Sequence, residues 1–271
     1  MEAPLDVTSG GGAEALPRPS LPQRDRLAVS LALAGLTALA WIYLVVSASA
    51  MAGATGSAEM AGMRPWGLTD ALLVFLMWAV MMVGMMVPSV APTTMVYAAV
   101  VRKAAREGGF VAPTATFVAG YVCMWTLFSA LATLAQWGLE SAALLSPMMV
   151  ATSPTLGAGL LIAAGVYQIT PAKAACLRHC RSPAHFISEH WRAGTSGALR
   201  MGFEHGAFCL GCCWLLMGLL FVGGVMNLLW VALIAGFVLA EKLMPHGRMA
   251  GVLSGGAMIL VGLGLLATWL R

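Results

Sequence analysis

Charge is what this sequence has least of. Its 11 acidic and 15 basic residues make up only 10% of 271, where a soluble domain carries about 25%. That shortage leaves too little polar surface to clothe a water-soluble enzyme. It also excludes a disordered chain, which needs low hydrophobicity and high charge. The net charge of +4 does not make a nucleic-acid footprint, because a membrane protein gathers Lys and Arg at one face anyway. No Gly-x-x-x-x-Gly-Lys-Ser/Thr run occurs and no soluble segment is left over for a nucleotide domain, which argues against an ATP-driven pump. No repeat of 20–50 residues is visible either.

What is abundant is apolar surface: 60% of residues are hydrophobic and the mean hydropathy is +0.85. Apolar runs fall near 27–50, 68–90, 113–137, 154–171, 200–222, 225–241 and 249–270. Each approaches the roughly 20 residues that a helix needs to cross a bilayer. The fold class expected is all-α, a polytopic transmembrane helical bundle of about seven spans. It occupies residues 24–271, after a disordered cytoplasmic tail over 1–23. Ala48-Ser49-Ala50 resembles a signal-peptidase site. Cleavage there would leave six spans, but the apolar stretch before it is longer than a usual signal core.

With the N-terminus in the cytoplasm of a bacterial inner membrane, thirteen Lys and Arg side chains fall inside, among them Arg24, Arg102, Lys103, Arg181 and Arg200. Only Arg64 and Arg271 fall outside, and the C-terminus is then outside as the positive-inside rule requires.

Polar and sulfur side chains within spans carry the chemistry, because each is costly in lipid and turns to the bundle interior. Five of the six cysteines lie within 38 residues: Cys176, Cys180, Cys209, Cys212 and Cys213, with Cys123 apart. At about 100° per residue, Met201, His205, Cys209, Cys212 and Cys213 share one helical face. Cys176 and Cys180 sit just beyond the preceding span at the same cytoplasmic level. Cys123 alone reads as a packing residue. The clustered set reads as a soft metal site for Cu(I), with zinc or an iron–sulfur cluster as other thiolate-loving occupants. His179 and Glu204 are placed to support it, Glu204 by orienting His205.

A second sulfur pattern precedes the first. Met77, Met81 and Met85 repeat every four residues, and Met82 and Met86 form a parallel row that ends at Pro88. Thioethers bind Cu(I) weakly and do not form disulfides, so the rows read either as core packing or as a relay. Met60, Met63, Met148 and Met149 would extend the relay outward. Asp70 reads as a helix N-terminal charge, Glu241-Lys242 as a pair with each other or with neighbours, Pro171 as a terminator or kink, and His185, His190 and His246 as solvated.

The run Met77-Trp78 through Met85-Met86-Val87-Pro88-Ser89 carries a resemblance, together with Tyr167-Gln168 to Lys173, Cys176-Leu177-Arg178-His179-Cys180, His205-Gly206 to Trp214, and Glu241-Lys242. Over about 70–270 the chain resembles a bacterial family of predicted metal-binding integral membrane proteins, a domain of unknown function. The resemblance implies metal binding, and some relatives look like copper-delivery accessories for copper oxidases.

The expected function is copper handling without an evident catalytic step. Cu(I) is held at the Cys/His site and relayed along the Met rows to an outer-side copper protein or oxidase. Lipid is the other partner, nucleic acid is not one, and the oligomeric state is open. Two alternatives stand beside it. One is a membrane thiol-disulfide/quinone oxidoreductase, since Cys209-Leu210-Gly211-Cys212 has C-x-x-C spacing. The other is a structural subunit of a larger complex.

Overall fold

The computed structural model describes residues 21–53, 66–109, 111–146, 149–245 and 247–269. Most of the expected tail, Met60, Met63, Arg64, Met148, His246 and Arg271 lie outside the described residues. The helices are α1 (Gln23–Gly53), α2 (Leu68–Arg106), α3 (Thr114–Ser141), α4 (Pro154–Ile169), α5 (Pro171–Arg181), α6 (Pro183–His190), α7 (Gly194–Gly218), α8 (Leu220–Gly223), α9 (Leu228–Leu243) and α10 (Gly247–Trp269).

This is an all-α polytopic membrane bundle. Among the described residues five helices are long and apolar enough to cross a bilayer, and six if α4 and α5, bent by 66° at Thr170, count as one broken span. The count of seven is therefore not reached. The runs at 154–171 and 225–241 form α4 and α9, each of 16 residues. At about 1.5 Å per residue such a helix is roughly 24 Å long, short of the roughly 30 Å hydrocarbon core. Pro171 does not simply end a span: it starts α5, with Thr170 accepting the Lys173 amide at 3.3 Å as an N-cap. Asp70 lies in the first turn of α2, its carboxylate accepting the Gly67 amide at 2.8 Å.

Helix α2 departs further from expectation. It runs on through Pro88 and Pro92 for 39 residues, where the sequence suggested an end near Pro88. A proline inside a helix frees the carbonyl four residues earlier. Here the freed Gly84 carbonyl accepts the Trp41 indole N–H from α1 at 3.2 Å. Neighbouring helices commonly rescue intramembrane prolines in this way.

Among the described residues Arg102, Arg181, Arg192 and Arg200 gather at one end of the bundle, near the end of α2 and the start of α7. Arg102 near the end of α2 pairs with Asp25 at the start of α1. Arg181 donates to the carbonyls of Met244 and Pro245 at 2.7 and 2.8 Å, and Arg192 meets Glu204 at 3.1 Å. At the opposite end a polar chain ties α2 to α3: Trp78 donates to Gln136 at 2.8 Å, Gln136 to Glu140 at 2.9 Å, and Trp66 to Glu140 at 2.8 Å.

Helices α3 and α7 touch backbone to backbone, which fixes the depth at which α7 presents its stripe. A Cβ on Gly202 would lie 1.9 Å from the Phe117 carbonyl oxygen, and one on Gly120 would lie 2.0 Å from that of Leu199. Membrane helices without a hydrophobic drive to associate rely on such close approach of small residues. Gly202→Ala must therefore separate two helices. It is expected to cost about 3 kcal/mol or more, beyond ordinary overpacking, read as a lower unfolding midpoint in detergent.

Candidate metal centre

Helix α7 lays Met201, His205, Cys209, Cys212 and Cys213 on one face, and all five are at most 2% exposed. The sulfurs from α5 arrive unequally. Cys180 is buried in the same core as Cys209, Cys212 and Cys213. Cys176 stands at the edge of the group, half-buried, its sulfur 2.8 Å from where a Gly211 Cβ would sit. Cys123 is exposed on the bundle surface, not packed between helices. All six thiols are free.

The group centres on Cys209. Its sulfur is 2.8 Å from the Lys242 ammonium and 3.0 Å from the Tyr121 hydroxyl. Lys242 also donates to the Ser89 hydroxyl at 3.0 Å. The hydroxyls of Ser89 and Tyr121 reach the Met86 carbonyl at 2.9 and 3.0 Å. Cys212 and Cys213 bond back to the Cys209 carbonyl at 3.0 and 3.1 Å. The thiols are thus engaged in hydrogen bonds, and among the described residues no three His, Cys, Asp or Glu side chains are set to hold a metal ion.

His205 lies one turn before Cys209. One ring nitrogen, Nε2, is 3.3 Å from the Thr93 hydroxyl, while the other, Nδ1, is buried without a hydrogen-bond partner. An unpartnered buried nitrogen is costly, so it is the atom most ready to take a ligand. Glu204 does not orient this ring. It pairs with Arg192 and Arg200 at 3.1 and 3.0 Å on another face, because adjacent helical residues point about 100° apart. His179 does not reach the thiols either, its ring stacking on Phe208 at 4.0 Å.

The same geometry governs Glu241-Lys242, which diverge and so need partners elsewhere. Lys242 turns to Cys209. Glu241 accepts from Lys173 at 2.7 and 2.8 Å, Gln168 donates to Glu241 at 3.3 Å, and Lys173 also reaches Gln168. All four side chains are buried. A pocket of about 160 Å³ beside Arg248 leads to Lys173 and Glu241. The sequence did not single out Tyr121 or Thr93, and it placed Ser89 and Lys242 only within the motifs that carry the resemblance, with Lys242 read as pairing with Glu241 or with neighbours. Only Lys242 gave a signal, as a lysine within an apolar helix whose adjacent glutamate could not face it.

Met77, Met81, Met82, Met85 and Met86 are all buried in the core of α2. His185 is exposed and 3.3 Å from Glu189. His190 is not solvated as expected: it is half-buried, stacked on Phe186 at 4.6 Å.

Fold and site together define a polytopic membrane protein with a buried thiol, imidazole and ammonium cluster. The profile of a family described as copper chaperone, PpoB2, matches residues 75–265. The chain belongs to that family. No curated protein and no solved structure matches it.

Proposed function

We propose that this protein carries Cu(I) within the membrane, taking it at Cys180, His205, Cys209, Cys212 and Cys213, with Cys176 at the margin. Cu(I) is the cargo and no catalytic step is involved. The observation that supports the reading is one buried cluster of four thiols beside a histidine nitrogen with no partner. Soft sulfur donors favour Cu(I) over hard cations. Binding requires Cys212 and Cys213 to give up the Cys209 carbonyl, and Cys209 to give up Lys242, all by side-chain rotation. In this reading the Arg-rich end faces the cytoplasm of a bacterial inner membrane under the positive-inside rule, the C-terminus lies outside, and the acceptor is an outer-side copper protein or oxidase.

The test is elemental analysis and Cu(I) titration of full-length protein purified oxygen-free in detergent. The expected result is copper retained against a weak chelator. Protein that stays copper-free with its thiols verified as reduced would overturn the reading.

The buried Met rows of α2 are the proposed relay. Leu has nearly the volume of Met, so Met81→Leu with Met85→Leu is expected to cost less than about 1.5 kcal/mol per site and to keep Cu(I) loading. Transfer to an added periplasmic-type copper acceptor is expected to slow. An unchanged transfer rate makes the rows core packing. Loss of loading makes them part of one mixed centre.

A further inference from the structure

Four rings, those of His179, His190, Phe186 and Phe208, pack together outside the thiol cluster. His179 on α5 stacks face to face on Phe208 at 4.0 Å and 8°, and His190 at the end of α6 stacks on Phe186 at 4.6 Å and 18°. The two imidazole centroids lie 6.2 Å apart with their planes at 79°. Each stack immobilises a ring that would otherwise be free to turn at a half-buried position.

The hydrogen bonds then fix which nitrogen is available. His179 Nδ1 is 3.0 Å from the Ala175 carbonyl, and His190 Nδ1 is 3.1 Å from the Phe186 carbonyl. A carbonyl only accepts, so both Nδ1 atoms donate and both Nε2 atoms keep a lone pair. Metal-binding histidines are commonly oriented in this way, with the second ring nitrogen donating to a carbonyl. Cu(I) accepts as few as two ligands in line. With metal–nitrogen bonds of about 2.0 Å, two such imidazoles have centroids about 6 Å apart.

We propose that His179 and His190 form a two-coordinate Cu(I) loading site next to the buried thiol cluster. The proposal rests on the copper-carrier reading and adds the place where cargo is first taken. Phe186 joins the two levels: its ring touches His190 on one side and His205 at 4.7 Å on the other. Cu(I) passes from the paired histidines to His205 Nδ1 and then to sulfur, with no change of oxidation state. A two-histidine site binds Cu(I) less tightly than thiolates do, which suits a point of loading.

Two measurements with Cu(I) offered from a weak chelator test it on full-length protein in detergent. In the first, all six cysteines are changed to Ser and X-ray absorption reads the ligand shell. One copper per chain with two nitrogens and no sulfur is expected, and none once His179→Gln and His190→Gln are added. In the second, the two Gln substitutions are made with every cysteine kept. Loading is expected to slow at least about tenfold with the equilibrium affinity of the sulfur site unchanged, a split that a merely structural role would not give. If the cysteine-free chain does not fold, this second measurement decides. Wild-type protein that takes copper through sulfur at a rate indifferent to the Gln substitutions overturns the loading site and leaves the carrier reading standing. Wild-type protein that takes no copper overturns both.

Discussion

A Cys209→Ser, Cys212→Ser protein is expected to fold, to hold Lys242 where it is, and to lose tight Cu(I) binding. Folding is expected because a serine hydroxyl at 209 can still accept from Lys242 and donate to Tyr121, the two groups now 2.8 and 3.0 Å from the sulfur. Serine at 212 can likewise repeat the bond to the carbonyl of residue 209. Binding is lost because a hydroxyl is a hard, poor ligand for a soft monovalent cation. Losing a merely supporting group at a metal site costs roughly 10–100-fold in affinity, so the loss of two ligands is expected to exceed that range. A Cu(I) competition titration with a chromophoric chelator reads it directly. An affinity within tenfold of wild type means that Cys209 and Cys212 are not essential ligands and that the copper rests on Cys180, Cys213 and His205 or elsewhere. The same protein also separates the oxidoreductase alternative, which needs a reversible Cys209–Cys212 disulfide in the unaltered chain.

Glu241→Leu is expected to have the largest effect on stability. Glu241 holds Lys173 by two bonds of 2.7 and 2.8 Å, and the side chains are only 2% and 3% exposed. Removing one partner of a buried pair leaves a charge stranded in low dielectric, at a cost of about 3–5 kcal/mol. Replacing both, as Glu241→Leu with Lys173→Met, is expected to recover most of that loss, since two apolar side chains of similar volume need no partners. Unfolding midpoints for the two single variants and the double variant form a cycle. A double variant no better than Glu241→Leu alone would mean that the pair is worth little and that Glu241 acts through Gln168.

Fold class and the α7 stripe were legible in the sequence because both are periodic. Apolar runs announce helices, and a 100° step places His205, Cys209, Cys212 and Cys213 on one face without knowledge of any other element. Misreadings arose where nearness along the chain stood in for nearness in space. Glu204 adjoins His205, and Glu241 adjoins Lys242, yet neighbours on a helix diverge and each found its partner elsewhere. Lys242 meets Cys209 from 33 residues away and Ser89 from 153, separations that no local pattern encodes. The length of α2 was missed for a related reason. Whether Pro88 ends a helix depends on what satisfies the Gly84 carbonyl, and that donor, Trp41, belongs to α1. His190 lies near the end of a short eight-residue helix, and its stacking partner Phe186 is legible one turn earlier only after the helix is known.

The length of α2 bears on how the protein is seated. Its 39 residues span about 58 Å, nearly twice the hydrocarbon thickness, so a tail of α2 must tilt or stand beyond the acyl chains. Arg102, Lys103 and Arg106 close that tail, level with the other basic side chains at the same end. If that end lies at the headgroups, each cation near an anionic surface contributes about 1 kcal/mol of attraction. Anionic lipids such as phosphatidylglycerol or cardiolipin would therefore add to a seating that the apolar helices already set.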